Sequence, residues 1–213
     1  MRPREHCRPS SGDRRHHPLL EAAAALVVAS ACARVVPPAP EVAARAAALA
    51  SYSASLRVSV SGKAVRGRSR ALVAFRRPDA LRIEIPGPAG ARLVAVARAG
   101  RLTAVLPAER AVLERDASPA QFESLIGIAL DPEQLMDLLV GVPPKGTREY
   151  QARWGPALPR RIDAVLADGT KVKATVEDAD AGEGLAPAAF DPPPRLGYRP
   201  IDADEARRLL GGR

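Results

Sequence analysis

The feature that most constrains the fold of this chain is a period-two alternation of apolar and polar residues. It begins with Leu56, Val58 and Val60, which alternate with Arg57 and Ser59, and it returns in later segments. Successive side chains of a β-strand point to opposite faces of a sheet. The alternation therefore predicts strands with one apolar face and one solvated face.

Turn-forming residues divide these segments into consecutive strands. We predict turns at Ser61-Gly62-Lys63, Ala99-Gly100 and Asp168-Gly169, and a loop over residues 86–90. The predicted strands begin at Ser51 and continue as 70–76, 81–85, 92–97, 101–106, 111–115, 162–166 and 172–176. The first six would form an antiparallel meander. In 92–97 apolar residues fall on both faces, so the buried face is not assigned.

Helical signals stand before, between and after the strands. Glu41–Ala50 is rich in alanine, and Asp202–Leu210 begins with a residue suited to an N-cap. In the middle of the chain, Ser118-Pro119-Ala120-Gln121 and Asp131-Pro132-Glu133-Gln134 each have the form of a capping box with proline at the first helical position. The two helices that they begin would end near Gly127 and Gly141.

An antiparallel sheet with one apolar face needs a cover, and the two middle helices are the candidates. The predicted fold class is mainly β (α+β), with a curved antiparallel sheet whose concave side is partly open. A fully packed core remains the alternative. The residues expected to line the concave side are Leu56, Val58, Val60, Val73, Phe75, Leu81, Ile83, Ile85, Leu125, Leu135, Leu138, Ile162 and Leu166.

The N-terminal region has the form of a lipoprotein signal peptide. Basic residues precede the apolar run Ala22–Cys32, AAAALVVASAC, which ends in small residues and a cysteine. We expect residues 1–31 to be the signal peptide, Cys32 to be lipidated, 32–40 to be a Pro-rich tether and 41–213 to be one domain. An ordinary signal peptide is the alternative. A membrane-spanning helix is disfavoured, because the apolar run of about 12 residues is short of about 20.

Composition excludes several classes of function. The three histidines, His6, His16 and His17, all lie in the predicted signal peptide, which excludes a histidine base or metal ligand in the mature chain. The net charge is +8, but the arginines are scattered and aromatic residues make up only 3%, which disfavours nucleic-acid binding. A basic surface facing anionic headgroups and a merely solvated surface both remain open.

An enzymatic role has little support in the residues. Asp178 and Asp180 could form an acidic pair, but their Gly-rich surroundings predict a solvated loop. We therefore expect neither catalysis nor a cofactor or metal.

Three segments together resemble the LolB family of outer-membrane lipoprotein receptors and the related LolA carriers. They are LRIEIPGPAGARL (Leu81–Leu93), FESLIGIALDPEQLMDLLVGVPP (Phe122–Pro144) and RRIDAVLADGTKVKATV (Arg160–Val176). The resemblance implies an incomplete antiparallel β-barrel whose mouth is closed by two to three helices. It also implies that the apolar cavity binds the acyl chains of lipoproteins.

The resemblance further implies a receptor anchored to the outer membrane through Cys32, with Ala33 favouring that membrane over the inner one. It would act as a monomer without catalysis, accept lipoproteins from a LolA-type periplasmic carrier and pass them to outer-membrane lipid. The alternative is a lipid-anchored structural or lipid-binding lipoprotein of the same fold. The family's membrane-facing loop corresponds to Pro88, Ala89 and Gly90, where Ala89 stands in place of the family's leucine.

Overall fold

The computed structural model describes residues 39–63, 65–182 and 184–211. Within these ranges the helices are α1 (Pro40–Ala47), α2 (Pro119–Ile126), α3 (Pro132–Leu139) and α4 (Ala203–Gly211), with a short 3₁₀ helix at Pro187–Phe190. The strands are β1 (Ser51–Ser61), β2 (Arg66–Arg76), β3 (Ala80–Gly87), β4 (Gly90–Arg98), β5 (Arg101–Leu106), β6 (Ala111–Asp116), β7 (Glu149–Trp154), β8 (Pro159–Val165), β9 (Lys171–Asp180) and β10 (Arg199–Pro200).

All ten strands belong to one sheet in the order β10-β6-β5-β4-β3-β2-β1-β9-β8-β7. Neighbouring strands are antiparallel except β10, which lies parallel to β6. The predicted meander from β1 to β6 is confirmed, and β9 returns to pair with the free side of β1. Because β10 and β7 are the two edges, the sheet is open and does not close into a barrel. The fold class predicted from the alternation is therefore confirmed.

Burial follows the predicted period of two. We define the inner face as the one that carries Leu56, Phe75 and Leu81, which are all buried in the main core. The unassigned strand β4 is buried on both sides. Leu93, Ala95 and Ala97 lie in the main core, whereas Val94 and Val96 lie on the outer face in a second cluster with Phe190.

The chain after β9 crosses the outer face before it returns to the core. Pro187–Phe190 places the fully buried Phe190 on Val94 and Val96. β10 then pairs with β6 through the hydrogen bonds from Arg199 N to Arg110 O and from Ile201 N to Val112 O. After this edge, α4 buries Ala206 in the inner core.

The helix starts differ in detail from the predictions. At α3 the capping box is present: the Asp131 carboxylate accepts from Gln134 N at 2.8 Å, and the Gln134 amide oxygen accepts from Asp131 N at 3.2 Å. The capping box predicted at Ser118 is wrong, because that side chain makes no capping hydrogen bond. Pro119 starts α2 instead, with its fixed φ at the first helical position.

Several boundaries also differ. Pro40 is the first residue of α1 and not the end of a tether, since proline is tolerated in the first helical turn. The predicted loop at 86–90 is shorter: β3 runs to Gly87, β4 starts at Gly90, and only Pro88 and Ala89 form the turn. The predictions omitted β7, β10 and the 3₁₀ helix.

The predicted signal peptide, Cys32 and the tether up to residue 38 lie outside the described residues. Among the helices of the described ranges, none combines the length and the hydropathy needed to cross a bilayer.

Candidate functional site

The predicted lining residues lie together on the inner face of the sheet and on the helices that cover it. All of them belong to one apolar cluster or pack against it. Most are buried, from Phe75 with no exposure to Val60 at 8%. Among the predicted lining residues, only Val58 and Ile85 are half-buried.

Helices α2 and α3, which we call the lid, cover this face. They bury Phe122 and Leu125 from α2, and Leu135, Met136 and Leu138 from α3. Each helix has only eight residues, so its stability depends on this packing more than on helix propensity.

The connection inside the lid fits closely against the β1–β2 turn. Gly127 ends α2 in the left-handed conformation with φ +74°. A Cβ atom at Gly127 would lie 2.7 Å from Cβ of Val65, which is shorter than real Cβ contacts. Glycine is needed here both for the backbone conformation and for the close approach.

Few polar contacts hold the lid in place. The Arg77 guanidinium donates to the Asp137 carboxylate at 2.6 Å and so joins the β2–β3 turn to α3. Arg207 of α4 donates to the Ser124 hydroxyl of α2 at 3.0 Å. Packing of the apolar side chains, rather than a polar network, therefore closes the inner face.

Two tyrosines missed by the sequence analysis carry hydroxyls into this interior. Tyr52 is 1% exposed and stacks on Phe75 with ring centroids 5.4 Å apart. Neither its hydroxyl nor that of Tyr150 has a hydrogen-bond partner among the described residues. Burial raises the pKa of Tyr52 to about 12, partly offset by Arg160, and burial also raises the pKa of Tyr150. Both hydroxyls therefore stay neutral donors.

The sheet is discontinuous between β2 and β3. These strands pair only from Leu72–Glu84 to Arg76–Ala80, although β2 continues to pair with β1 as far as Arg66. Pro86 has no N–H to donate, and the β3 register with β4 shifts beside it. We call this unpaired stretch the seam. The half-buried Ile85 lies directly at its border.

The outer face carries charge. The Glu177 carboxylate accepts hydrogen bonds from Arg70 at 2.7 Å and Arg57 at 2.5 Å, which hold the pKa of Glu177 below its usual value. Asp178 and Asp180 lie in β9 rather than in the predicted loop. They line an outer groove of about 390 Å³. No group of potential metal ligands occurs among the described residues.

The predicted membrane-facing residues Pro88, Ala89 and Gly90 are exposed at the β3–β4 turn. Strands β1 and β3 run in the same direction, because both are antiparallel to β2. The pairs Ser61–Arg66 and Gly87–Gly90 close the hairpins at their ends, so this turn lies at the same end of the sheet as the β1–β2 turn. We call this end the upper end. The seam opens toward it.

No protein-family model matches this chain, and no curated protein matches it. Similar solved structures include a LolA superfamily protein from Nitrosomonas europaea, with 11% identity, a TM-score of 0.43 and coverage of 74% of this chain and 99% of that chain. Lipoprotein LppX from Mycobacterium tuberculosis has 12% identity, a TM-score of 0.36 and coverage of 72% and 100%. An uncharacterized conserved protein from Thermus thermophilus has 12% identity, a TM-score of 0.44 and coverage of 76% and 96%. Similarities this low do not place the chain in a family, so its function has to be inferred from its own residues.

Proposed function

We propose that this protein is a lipid-anchored receptor that binds the acyl chains of lipoproteins on the inner face of its sheet and passes them to the outer membrane. The observation that carries the proposal is the continuous apolar inner face covered by two short helices instead of a second sheet. Helices held mainly by apolar contacts can be displaced by an apolar ligand that replaces those contacts.

The energetics of such an exchange are favourable. Burial of one methylene contributes about 0.8 kcal/mol, so about fifteen methylenes of an acyl chain would contribute about 12 kcal/mol. The ligand must replace the contacts between the lid and the sheet, so the net affinity is the smaller difference between the two. A small difference suits a receptor that must release its cargo.

The seam offers a route for the acyl chain. It separates the upper parts of β2 and β3, and Ile85 beside it is incompletely covered. The neutral hydroxyls of Tyr52 and Tyr150 could donate hydrogen bonds to ester or amide carbonyls of a bound lipid. Under the same proposal, Cys32 carries the lipid anchor, and a LolA-type periplasmic carrier delivers the cargo.

A second role is a lipid-anchored structural or lipid-binding protein that transfers no lipoprotein. The near-complete burial of the inner residues favours it, because such an interior can be stable without an occupant.

Transfer of a labelled lipoprotein from a LolA-type carrier to the full chain with Cys32→Ala distinguishes the two roles. The receptor role predicts that the label moves to this protein and that its acyl chains become protected. Absence of both would refute it and favour the structural role.

A matched pair of variants locates the binding face. Ile85→Asp places a carboxylate on the inner face beside the seam and should abolish transfer. Leu72→Asp makes the same kind of change on the outer face of the neighbouring strand, where Leu72 is 44% exposed, and should leave transfer intact. Equal effects of the two variants would argue against the inner face.

A further inference from the structure

A turn between the 3₁₀ helix and β10 places a leucine almost entirely in solvent. Leu196 is 97% exposed, whereas Leu72, the other exposed large hydrophobic residue of the described ranges, is 44% exposed. Tyr198 N donates to Arg195 O at 3.0 Å, and Gly197 has φ +76°. The turn therefore has a defined hydrogen-bonded conformation, with Leu196 at its tip.

Contacts on both sides fix this turn to the sheet. The Arg195 guanidinium lies 2.7 Å from the Glu114 carboxylate of β6. The guanidinium of Arg110 lies over the ring of Tyr198, 6.0 Å from its centroid. Because contacts on both sides hold the turn, Leu196 stays in solvent, where its burial against an apolar partner would be favourable.

The strand register shows where this turn lies. β10 pairs with β6 through Arg199–Ala111, and Ala111 pairs with Leu106 at the β5–β6 turn. That turn is at the upper end, together with the β1–β2, β3–β4 and β8–β9 turns. We call the turns and strand ends at the upper end the rim.

The rim is rich in exposed cations. They are Lys63, Arg66, Arg110, Arg148, Lys171, Arg195 and Arg199. Two of these cations are paired, Arg195 with Glu114 at 2.7 Å and Arg199 with Glu205 at 2.6 Å, and the exposed carboxylates of the same turns and strand ends are Glu149 and Asp168. The remaining cations outnumber these carboxylates along the rim, and Leu196 projects beside β10, at one edge of the sheet.

We propose that the rim docks on an anionic lipid surface, with Leu196 inserted below the headgroups. A single leucine among cations lacks the contiguous apolar centre of a protein interface. It does match a membrane surface, where basic groups contact anionic headgroups and an apolar side chain enters the acyl boundary. The turns of one end of an open sheet are also spread over several strands, which suits a broad and continuous partner. This docking does not depend on acyl-chain binding by the inner face.

Vesicle binding tests the proposal with the full chain carrying Cys32→Ala. Vesicles of phosphatidylcholine alone are compared with vesicles that also contain phosphatidylglycerol. Leu196→Ser should lower the partition coefficient on the anionic vesicles about tenfold, the effect of losing most of one leucine's burial. Leu72→Ser removes the other exposed leucine and should leave binding unchanged. The double variant Arg66→Gln/Lys171→Gln, in β2 and β9 and away from the Leu196 turn, should weaken binding to the anionic vesicles only.

The N-terminal segment is present in every variant and could itself bind vesicles, so a second measurement reads Leu196 directly. In a background with Cys7→Ser and Cys32→Ala, Leu196→Cys is labelled with an environment-sensitive fluorophore, and Leu72→Cys is the control. Insertion predicts a blue shift and quenching by lipid-borne quenchers at position 196 alone. A fluorophore that stays in water at position 196 while the protein is bound would overturn the proposal.

Discussion

Gly127 joins the two lid helices, and its replacement by alanine tests how closely the lid is fitted to the sheet. The residue has φ +74°, and an added Cβ would lie 2.7 Å from Cβ and 3.1 Å from both methyl carbons of Val65. Two costs follow. The left-handed backbone conformation costs about 1 kcal/mol for an alanine, and the overpacked contact costs about 1–3 kcal/mol more. We expect Gly127→Ala to lower the free energy of unfolding by about 2–4 kcal/mol.

Gly100 provides a matched control. Its φ of +75° is nearly the same, but a Cβ there would meet nothing within 4 Å. Gly100→Ala should therefore show the backbone cost alone, about 1 kcal/mol. Urea denaturation of the full chain with Cys32→Ala, followed by circular dichroism, measures both variants. Equal losses at the two positions would show that the lid connection is not tightly packed against Val65, and the proposed fit between the lid and the sheet would be refuted.

Three further changes test the interior and the outer face. Tyr52→Phe removes a buried hydroxyl that has no hydrogen-bond partner among the described residues. The free energy of unfolding, measured by urea denaturation, should therefore stay equal or rise by about 1 kcal/mol. A clear decrease would show that this hydroxyl makes a stabilising hydrogen bond. Asp137→Asn weakens the contact with Arg77 and should lower the free energy of unfolding by about 1 kcal/mol while hydrogen exchange in α3 becomes faster. Arg70→Gln removes a hydrogen bond that lowers the pKa of Glu177, so that pKa should rise toward 4.5 in a carbon-detected NMR titration, and an unchanged value would contradict the assignment. Because the folded-state pKa of Glu177 is lowered, its stabilising effect is complete above the unfolded value near 4.5 and is lost as the pH falls through the folded value.

The strands of the meander could be predicted because each carries its own local signal. Alternation places Leu56 and Phe75 on one face whatever the neighbouring strand is, and the structure confirms that face. Strand β7 also alternates, through Tyr150, Ala152 and Trp154, and that signal could have been found in the same way. The boundaries at Pro40 and Gly87 were missed because proline and glycine permit helix starts and strand ends as well as loops.

Other features depend on contacts between distant segments. β4 alternates poorly because Phe190, almost a hundred positions later in the chain, covers Val94 and Val96 on its outer face. β10 has only two residues and exists through its pairing with β6, so it has no sequence period of its own. Tertiary contacts of this kind decide burial without leaving a local pattern.

The candidate site also has parts that could be predicted from local sequence and parts that could not. The inner face and the lid could be predicted from apolar periodicity and from the Asp131-Pro132 helix start. The seam depends on how far β2 pairs with β3, and the solvent exposure of Leu196 depends on the fold around its turn. Neither feature had a local signal in the sequence.

Photocrosslinking with a diazirine-bearing palmitate tests the central claim most directly, using the full chain with Cys32→Ala. Acyl-chain binding on the inner face predicts crosslinks on peptides of β1, β3 and α3 that an excess of unmodified palmitate suppresses. Mass spectrometry should place them at inward positions such as Val58 and Ile85. Crosslinks confined to the outer face around Leu72, or the absence of any crosslink that palmitate suppresses, would contradict the account.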